Sequence, residues 1–267
     1  MSEITAAFVG SIPEIYEKHM GPVYMTPSAR DLVPRLTVKP GARVLELACG
    51  TGILTRLLVA PPRPTIALTA TDLNEPMLET AKAIVRDGSI EWKVADALNL
   101  PFPDASFDAV VCQYGVMFFS DKVRAAREAR RVLRQGGSYV FNVWGSLAEN
   151  RAALITHDTV AGFFGGDPPT FFTVPFGYHD RAQIEADLRG GGFSSVRMET
   201  VDFESRAPSA QSLAMGMTQG TPLAIVIRER GTTPIEAVTA AVAEAIAREY
   251  GSGEIRLALR AHVVTAR

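Results

Sequence analysis

Apolar residues in this chain of 267 residues form short runs that alternate with longer segments of helical periodicity. Turn residues bound the short runs, which is typical of buried strands. These runs are residues 44–47, 65–71, 90–95, 107–112 and 138–144. Between them, residues 77–86 and 121–133 space their apolar positions as a helix does, and Gly136 is placed to end the second helix in a left-handed cap. The alternation predicts an α/β fold whose parallel sheet is covered by helices on both faces.

The pattern changes on either side of this central part. Residues 12–24 carry an apolar face at helical spacing that Gly21 and Pro22 interrupt, and a helix resumes at 31–36. After residue 144 the pattern predicts further helices and two more strands. The helices cover 152–164, 179–188, 208–230 and 234–250, and the strands cover 196–205 and 255–265.

The segment from Glu46 to Gly52 joins the first strand to a helix through small residues and two glycines. Glycine has no Cβ, so a ligand can approach the backbone of such a turn closely, and the free N–H groups of the following helix suit an anion. The spacing excludes a dinucleotide fingerprint, which needs glycine at three places of G-x-G-x-x-G. It also excludes a P-loop, because no Gly-Lys-Ser/Thr follows.

Carboxylates follow the second and third strands. Asp72 ends the second strand about 20 residues after the glycines, where the ribose of a bound nucleoside presents its two hydroxyls. The same residue could instead cap the helix that follows, and both roles can hold at once. Asp96 follows the third strand and begins a segment that reads D-A-L-N-L-P-F-P-D-A-S-F-D-A-V over residues 96–110.

These motifs, in this order, resemble those of the class I S-adenosylmethionine (SAM) dependent methyltransferases. Residues 46–52, E-L-A-C-G-T-G, are similar to that family's first motif, an acidic residue followed by G-x-G-x-G. Ala48 takes the first glycine place, where we expect it to be tolerated with a negative φ. Residues 96–110 are similar to the family's adenine loop, and residues 132–141 to its L-K-P-G-G segment. The resemblance is best over residues 40–145 and is nearest to small-molecule methyltransferases, among them the quinone-biosynthesis enzymes.

The resemblance implies a single domain over residues 1–267, built on a Rossmann-like seven-stranded sheet. That sheet would be mostly parallel with an antiparallel last strand, and it would carry helical cap insertions. A helical lid at 1–36 and cap or substrate insertions at 145–178 and 206–253 would surround the site. The cofactor would be SAM, and its product S-adenosylhomocysteine (SAH).

The resemblance also implies which residues hold the cofactor. In the family the aspartate of the adenine loop accepts the adenine amino hydrogen and the next backbone N–H meets a ring nitrogen, which here means Asp96 and Ala97. Glu46 would hold the cofactor's amino-acid end or the glycine turn. For Tyr16 and Tyr24 in the lid, core packing is the alternative. The cofactor candidates are Glu46, Ala48, Cys49, Gly50, Gly52, Asp72, Leu73, Met77, Asp96, Ala97, Gln113, Tyr16 and Tyr24.

The methyl acceptor is expected against aromatic side chains. Residues 163–178 are rich in phenylalanine and proline, and they could wall an apolar cavity or simply seal the core. The segment after the fourth strand, 113–119, would join them at the strand ends. The acceptor candidates are Tyr114, Met117, Phe118, Phe172 and Phe176. His157 and His19 are the candidates for a general base, although a carbon or thiol nucleophile needs none, and no residue cluster typical of a metal site stands out.

Composition limits the kinds of binding partner and the cellular location that we expect for the protein. The 27 basic and 29 acidic side chains give no electrostatic footprint for nucleic acid, and the arginines of 124–134 have the spacing of a solvated helix. No run of roughly 18 apolar residues and no signal-peptide layout is present, so we expect a cytoplasmic protein without a membrane span. Cys49 and Cys112 fit small core residues. A small-molecule acceptor and a second copy of the chain in a homodimer are the expected partners.

The sequence therefore predicts a SAM-dependent methyltransferase that acts on an apolar, aromatic small molecule. A non-catalytic SAM- or SAH-binding regulator or scaffold is the alternative. An NAD-linked oxidoreductase shares the sheet and the ribose carboxylate, but its glycine spacing differs.

Overall fold

A computed structural model of the protein describes residues 7–62 and 64–267, so residues 1–6 of the predicted lid lie outside the described residues. Its centre is a seven-stranded sheet of order β3-β2-β1-β4-β5-β7-β6. The strands are β1 (Arg43–Leu47), β2 (Ala67–Asp72), β3 (Glu91–Val94), β4 (Phe107–Gln113), β5 (Leu133–Trp144), β6 (Val196–Ala207) and β7 (Ile255–Ala266). β7 runs antiparallel to β5 and β6, and the other neighbours are parallel. The predicted sheet is confirmed.

Burial explains why the central strands are apolar. β1 lies between β2 and β4, and Val44 and Leu45 have no exposed surface. A parallel strand covered on both faces must be apolar nearly throughout. Glu46 is the exception within β1, since it is only 1% exposed. Burying a carboxyl costs free energy unless it is hydrogen-bonded, and the hydrogen-bond partner of Glu46 lies at the candidate site.

Ten α-helices surround the sheet in the described part of the chain. They are α1 (Ile12–Ile15), α2 (Thr26–Arg35), α3 (Ile53–Val59), α4 (Glu75–Ile84), α5 (Lys122–Val132), α6 (Arg151–Ala161), α7 (Arg181–Gly190), α8 (Ala210–Gln219), α9 (Leu223–Arg230) and α10 (Ile235–Tyr250). α2 packs on α3 and α5 packs on α7. Right-handed crossovers place these two pairs on opposite faces of the sheet. None of the helices in residues 7–62 and 64–267 is long and apolar enough to span a membrane.

The N-terminal helical segment continues where an interruption was predicted. α1 passes into a π-helical segment, Tyr16–Met25, which contains Pro22 and leads directly into α2. Proline has no N–H to donate, and the wider π turn carries the chain past it. The Gly21 carbonyl accepts from both the backbone N–H and the hydroxyl of Thr26. The π segment packs on α8, and α8 also packs with α6 and α10.

Two other boundaries differ from the prediction. α5 ends at Val132 without a left-handed cap. Gly136 does have a φ of 80°, but it lies inside β5, where the pairing with β4 changes register between Phe107 and Ala109. The helix predicted from residue 179 begins at Arg181, because the Asp180 side chain caps it by accepting from backbone N–H groups of its first turn.

Candidate functional site

The turn after β1 has backbone conformations that favour glycine. Gly50 and Gly52 have φ values of 57° and 80°, in the left-handed region. Ala48 lies there too, with a φ of 51°, so the expectation of a negative φ at this alanine was wrong. Gly115 leaves the room that Ala48 needs, since a Cβ on Gly115 would lie 2.5 Å from the Ala48 Cβ. A side chain on Gly50 would project toward Met77, whose Cε would be 3.8 Å away.

Asp72 at the end of β2 is bonded to the glycine turn. Its Oδ2 accepts from the Gly50 N–H at 2.9 Å, and its Oδ1 accepts from the Asn74 N–H at 2.8 Å. Burial raises the pKa of Asp72, and these hydrogen bonds oppose the rise. The carboxylate therefore fixes the turn and retains lone pairs for a ligand. The N-cap residue of α4 is Asn74, so Asp72 is not itself the cap.

Glu46 lies beneath the turn and does not line the cavity described below. Its Oε2 accepts from the Thr55 hydroxyl at 2.7 Å, which ties β1 to the first turn of α3. Burial raises the pKa of Glu46 to about 8; the Thr55 hydrogen bonds oppose this rise and the nearby Asp72 adds to it. Its hydrogen bond joins the strand and the helix on either side of the glycine turn, and its role toward the turn or the cofactor stays a prediction.

The stability of the wild-type protein should decline as the pH rises, and we expect Glu46→Gln to remove the part of this decline that Glu46 causes. A carboxyl whose pKa rises from 4.5 unfolded to about 8 folded binds more protons in the folded state between those values. Its contribution is therefore full below the lower value and is lost as the pH rises through the higher one. The difference in unfolding free energy between mutant and wild type should shift by on the order of 4 kcal/mol between pH ~5 and pH ~9. Urea denaturation at both pH values measures it.

The exposed Glu79, paired with Lys82, provides the control, because Glu79→Gln should leave the pH dependence unchanged. An equal pH dependence in wild type and Glu46→Gln would contradict the raised pKa.

One large cavity opens at the carboxyl ends of β1 to β5. It has a volume of about 1210 Å³, counting space open to solvent. One end, which we call the polar end, is lined by Ala48, Gly50, Asp72, Leu73, Asn74, Met77, Asp96 and Ala97. The other, the aromatic end, is lined by Met20, Tyr24, Met117, Trp144, Phe171, Phe172, Pro175, Phe176, Met217 and Thr221. Phe8, Tyr16, Gln113, Tyr114 and Phe118 also line it.

The cavity brings together most residues predicted from the sequence. All five acceptor candidates line it, and so do ten of the cofactor candidates: Tyr16, Tyr24, Ala48, Gly50, Asp72, Leu73, Met77, Asp96, Ala97 and Gln113. Cys49 lines a smaller adjoining pocket with Thr51 and Ile53. Gly52 lines neither; a Cβ there would meet Val85 at 3.0 Å, so this glycine serves the packing of α3.

The N-terminal segment is tied to the sheet on two sides of the cavity. Gln113 Nε2 donates to the Met25 carbonyl at 2.7 Å and to the Ser28 hydroxyl at 2.9 Å. Glu17 accepts from the Thr51 hydroxyl at 2.5 Å and from the Arg56 guanidinium at 2.7 Å. These bonds place Tyr16, next to Glu17, over the glycine turn.

The loop that follows Asp96 is held by α5. Arg124 donates to the Leu98 carbonyl at 2.7 Å, and Glu128 accepts from the Leu100 N–H at 2.8 Å. Arg131 donates to the carbonyls of Leu100 and Phe102 and pairs with Glu128. Part of the arginine-rich face thus fixes the loop that carries Asp96 and Ala97.

The aromatic end is built around Trp144 at the end of β5. Tyr114 stacks on it, with ring centroids 3.7 Å apart and planes 11° apart. Tyr24 meets it edge-on, and Phe176 lies on it at 6.0 Å. Tyr114 has a φ of 50°, an uncommon conformation for a residue with a bulky side chain, which directs its ring onto Trp144.

Apart from tyrosines, the ionisable side chains among the lining residues of the described chain are Asp72 and Asp96. His19 Nδ1 is bonded to the Ser212 hydroxyl at 2.9 Å, and His157 lies edge-on to Phe172 at 6.3 Å. Neither histidine lines the cavity, and a base role for either stays a prediction. No group of His, Cys, Asp and Glu side chains in residues 7–62 and 64–267 is arranged to hold a metal ion.

Residues 45–141 match the family model described as a methyltransferase domain. This match begins within β1 and ends within β5, and it includes the glycine turn, Asp72 and Asp96. This central part of the chain is therefore similar to methyltransferase domains.

Curated relatives are similar to a part of the chain of comparable length. Over 105 residues the chain is 46% identical to demethylmenaquinone methyltransferase of Thermotoga maritima, covering 39% of this chain and 44% of that protein. Over 107 residues it is 39% identical to the ubiquinone/menaquinone biosynthesis C-methyltransferase UbiE of Bordetella avium, covering 39% of this chain and 42% of that protein. The chain thus spans less than half the length of these relatives.

A solved structure is similar over a longer range. The phosphoethanolamine N-methyltransferase 2 of Haemonchus contortus in complex with SAM has a TM-score of 0.60 and is 16% identical. The similarity covers 95% of this chain and 56% of that one. At this identity the likeness shows the fold alone.

Several lining residues were absent from the sequence-based candidates. Trp144 ends β5, so the rule that ligands lie at strand ends could have found it. Asn74 and Phe8 also line the cavity, as do Met217 on α8 and Thr221 after it. Asn74 follows the end of β2, so the same rule could have found it. No local pattern distinguishes Phe8, Met217 and Thr221, because the packing of distant segments brings them to the cavity.

Proposed function

We propose that the protein is a SAM-dependent methyltransferase whose acceptor is an apolar, ring-bearing small molecule. The observation that carries this proposal is the continuity of the cavity. The polar end, with Gly50 and Asp72, and the aromatic end, with Trp144, are two ends of one space. A methyl donor and an acceptor bound there would meet without crossing bulk water.

The residues of the polar end fit SAM. The left-handed Gly50 leaves its Cβ direction open toward the cavity-lining Met77, so a ligand can approach the backbone closely. Asp72 would accept hydrogen bonds from the ribose hydroxyls, and Asp96 with the Ala97 N–H would hold the adenine. Leu73 is 60% exposed, and the bound cofactor would bury part of its side chain.

The aromatic end supports an apolar acceptor. A fully buried aromatic side chain contributes roughly 1.5–3 kcal/mol of hydrophobic burial, and Trp144, Phe172 and Phe176 are each less than 9% exposed. The donor would supply an activated methyl group, which would pass to a nucleophilic atom of the acceptor. The carbon–sulfur electron pair would return to sulfur, and the proton displaced from the acceptor would leave to solvent. The chain would contribute alignment and exclusion of water, which can be worth about 7–11 kcal/mol for well-oriented reactants.

The cofactor assignment is tested by calorimetric titration with SAM, SAH and NAD. We expect SAM and SAH to bind, and NAD not to bind. Tight binding of NAD alone would contradict the proposal.

Turnover is tested by screening phenols, quinols, amines, fatty acids and nucleosides for SAH release. We expect release with ring-bearing apolar acceptors. SAM binding without turnover of any acceptor would favour the alternative, a non-catalytic SAM-binding protein. Turnover confined to proteins, nucleic acids or strongly polar acceptors would contradict the proposed acceptor class.

A further inference from the structure

The aromatic end contains one buried hydroxyl with a weak partner. Tyr24 is 2% exposed and lines the cavity. Its hydroxyl contacts the Met217 sulfur at 4.0 Å, and a thioether is a weak hydrogen-bond acceptor. The same sulfur already accepts from the Thr156 hydroxyl at 2.9 Å. Met217 also lines the cavity, so both residues of this contact belong to the cavity lining.

The other hydroxyls around the cavity differ from that of Tyr24 in their surroundings. Thr221 donates to the Met217 carbonyl at 2.9 Å. The Tyr114 hydroxyl is buried and has no hydrogen-bond partner among the described residues, and its neighbour is Ser28 on α2, which does not line the cavity. Tyr16 lies near Asp72 of the polar end; burial raises the pKa of Tyr16, and the charges of Glu17 and Asp72 raise it further.

We propose that the Tyr24 hydroxyl donates a hydrogen bond to an oxygen substituent of the acceptor ring, so that this residue selects phenols, enols or quinols over hydrocarbon rings. This inference rests on the proposed function, because it names the acceptor class of the same cavity. Tyr24, which the sequence analysis placed among the cofactor candidates, would then bind the acceptor. Buried polar groups in native proteins generally have a good partner, and an acceptor oxygen would supply the one that Tyr24 lacks.

The hydroxyl would act as a donor and not as a base. Burial raises the pKa of Tyr24 far above its ordinary value, so the group stays protonated at any physiological pH. Among the described residues, those that line the aromatic end include no carboxylate, histidine or lysine. Tyr24 is thus a specificity residue that binds and orients the acceptor, while the acceptor brings its own nucleophilic atom.

A pair of ring compounds that differ by one hydroxyl tests the proposal. The dissociation constants of 1-naphthol and naphthalene are measured by calorimetry on SAH-saturated protein. We expect wild type to prefer 1-naphthol by about tenfold or more, because a site built to bond a hydroxyl rejects the analogue without it. Tyr24→Phe should lose most of this preference and keep wild-type affinity for SAH.

Two further variants keep the test decisive. Tyr139 is a buried tyrosine on β5 that does not line the cavity, so Tyr139→Phe should behave as wild type. Met217→Leu removes the sulfur contact and should retain or strengthen the preference for 1-naphthol.

The proposal is overturned if wild type or Met217→Leu shows no preference, or if Tyr24→Phe keeps it. A loss of SAH affinity in Tyr24→Phe would also overturn it, because the residue would then belong to the cofactor. If the preference depends on Tyr24 but no phenol or quinol is methylated, the proposed function fails and the assignment of Tyr24 stands.

Discussion

Replacing Gly50 with valine is expected to abolish measurable binding of SAM and SAH while the protein still folds. Gly50 has a φ of 57°, where an L side chain costs roughly 1–2 kcal/mol. A Cβ there meets no protein atom closer than 3.8 Å, so the fold has room for it. A branched side chain would instead occupy the space through which the ligand approaches the turn. Calorimetry with SAH, together with circular dichroism, measures both effects.

Gly136 is a matched control for the backbone cost. It has a φ of 80°, is exposed, and would meet no atom within 4 Å if it carried a Cβ. Gly136→Val should therefore lose a similar amount of stability and bind SAH as wild type does. Wild-type affinity for SAH in Gly50→Val would place the cofactor elsewhere in the molecule.

The second large effect is expected for Asp72→Ala. Losing a hydrogen bond to a charged group costs about 1.5–3 kcal/mol, and two ribose hydroxyls would share this carboxylate. The alanine also releases the Gly50 N–H, which the carboxylate holds at 2.9 Å. We therefore expect SAM affinity to fall by about 100-fold, at the upper part of that range, in a protein that remains folded.

Asp87→Ala is the corresponding control, because Asp87 also accepts from a nearby backbone N–H, that of Ser89, but does not line the cavity. It should leave SAM affinity unchanged. Asp72→Asn keeps an oxygen that can bond the turn or the ribose, so its affinity should lie between wild type and the alanine variant. A folded Asp72→Ala that binds SAM normally would restrict Asp72 to a structural role.

The parts of the site that could be predicted are those fixed by local sequence. The carboxyl ends of β1, β2 and β4 lie at one edge of the parallel part of the sheet. The sequence alone therefore predicts that Gly50, Asp72 and Gln113 share a site. The turn itself was harder, because Ala48 adopts a positive φ that depends on the missing side chain of Gly115. That dependence joins two segments far apart in sequence.

What could not be predicted depends on tertiary packing. Glu17 bonds Thr51 and Arg56 only because the N-terminal segment passes Pro22 in a π-helix, where the sequence pattern indicated a break. Met217 reaches the cavity through the packing of α8 against that segment. Such contacts carry no periodic signal along the chain.

Transfer of a labelled methyl group tests the central claim most directly. The protein is incubated with SAM that carries a trideuterated methyl group and with 1-naphthol or a quinol, and both products are followed by mass spectrometry. We expect SAH and a product that has gained one trideuteromethyl group to form in equal amounts, and neither to form with Gly50→Val. Labelled product in the Gly50→Val reaction, or none from any ring acceptor with a wild-type protein that binds SAM, would contradict the account.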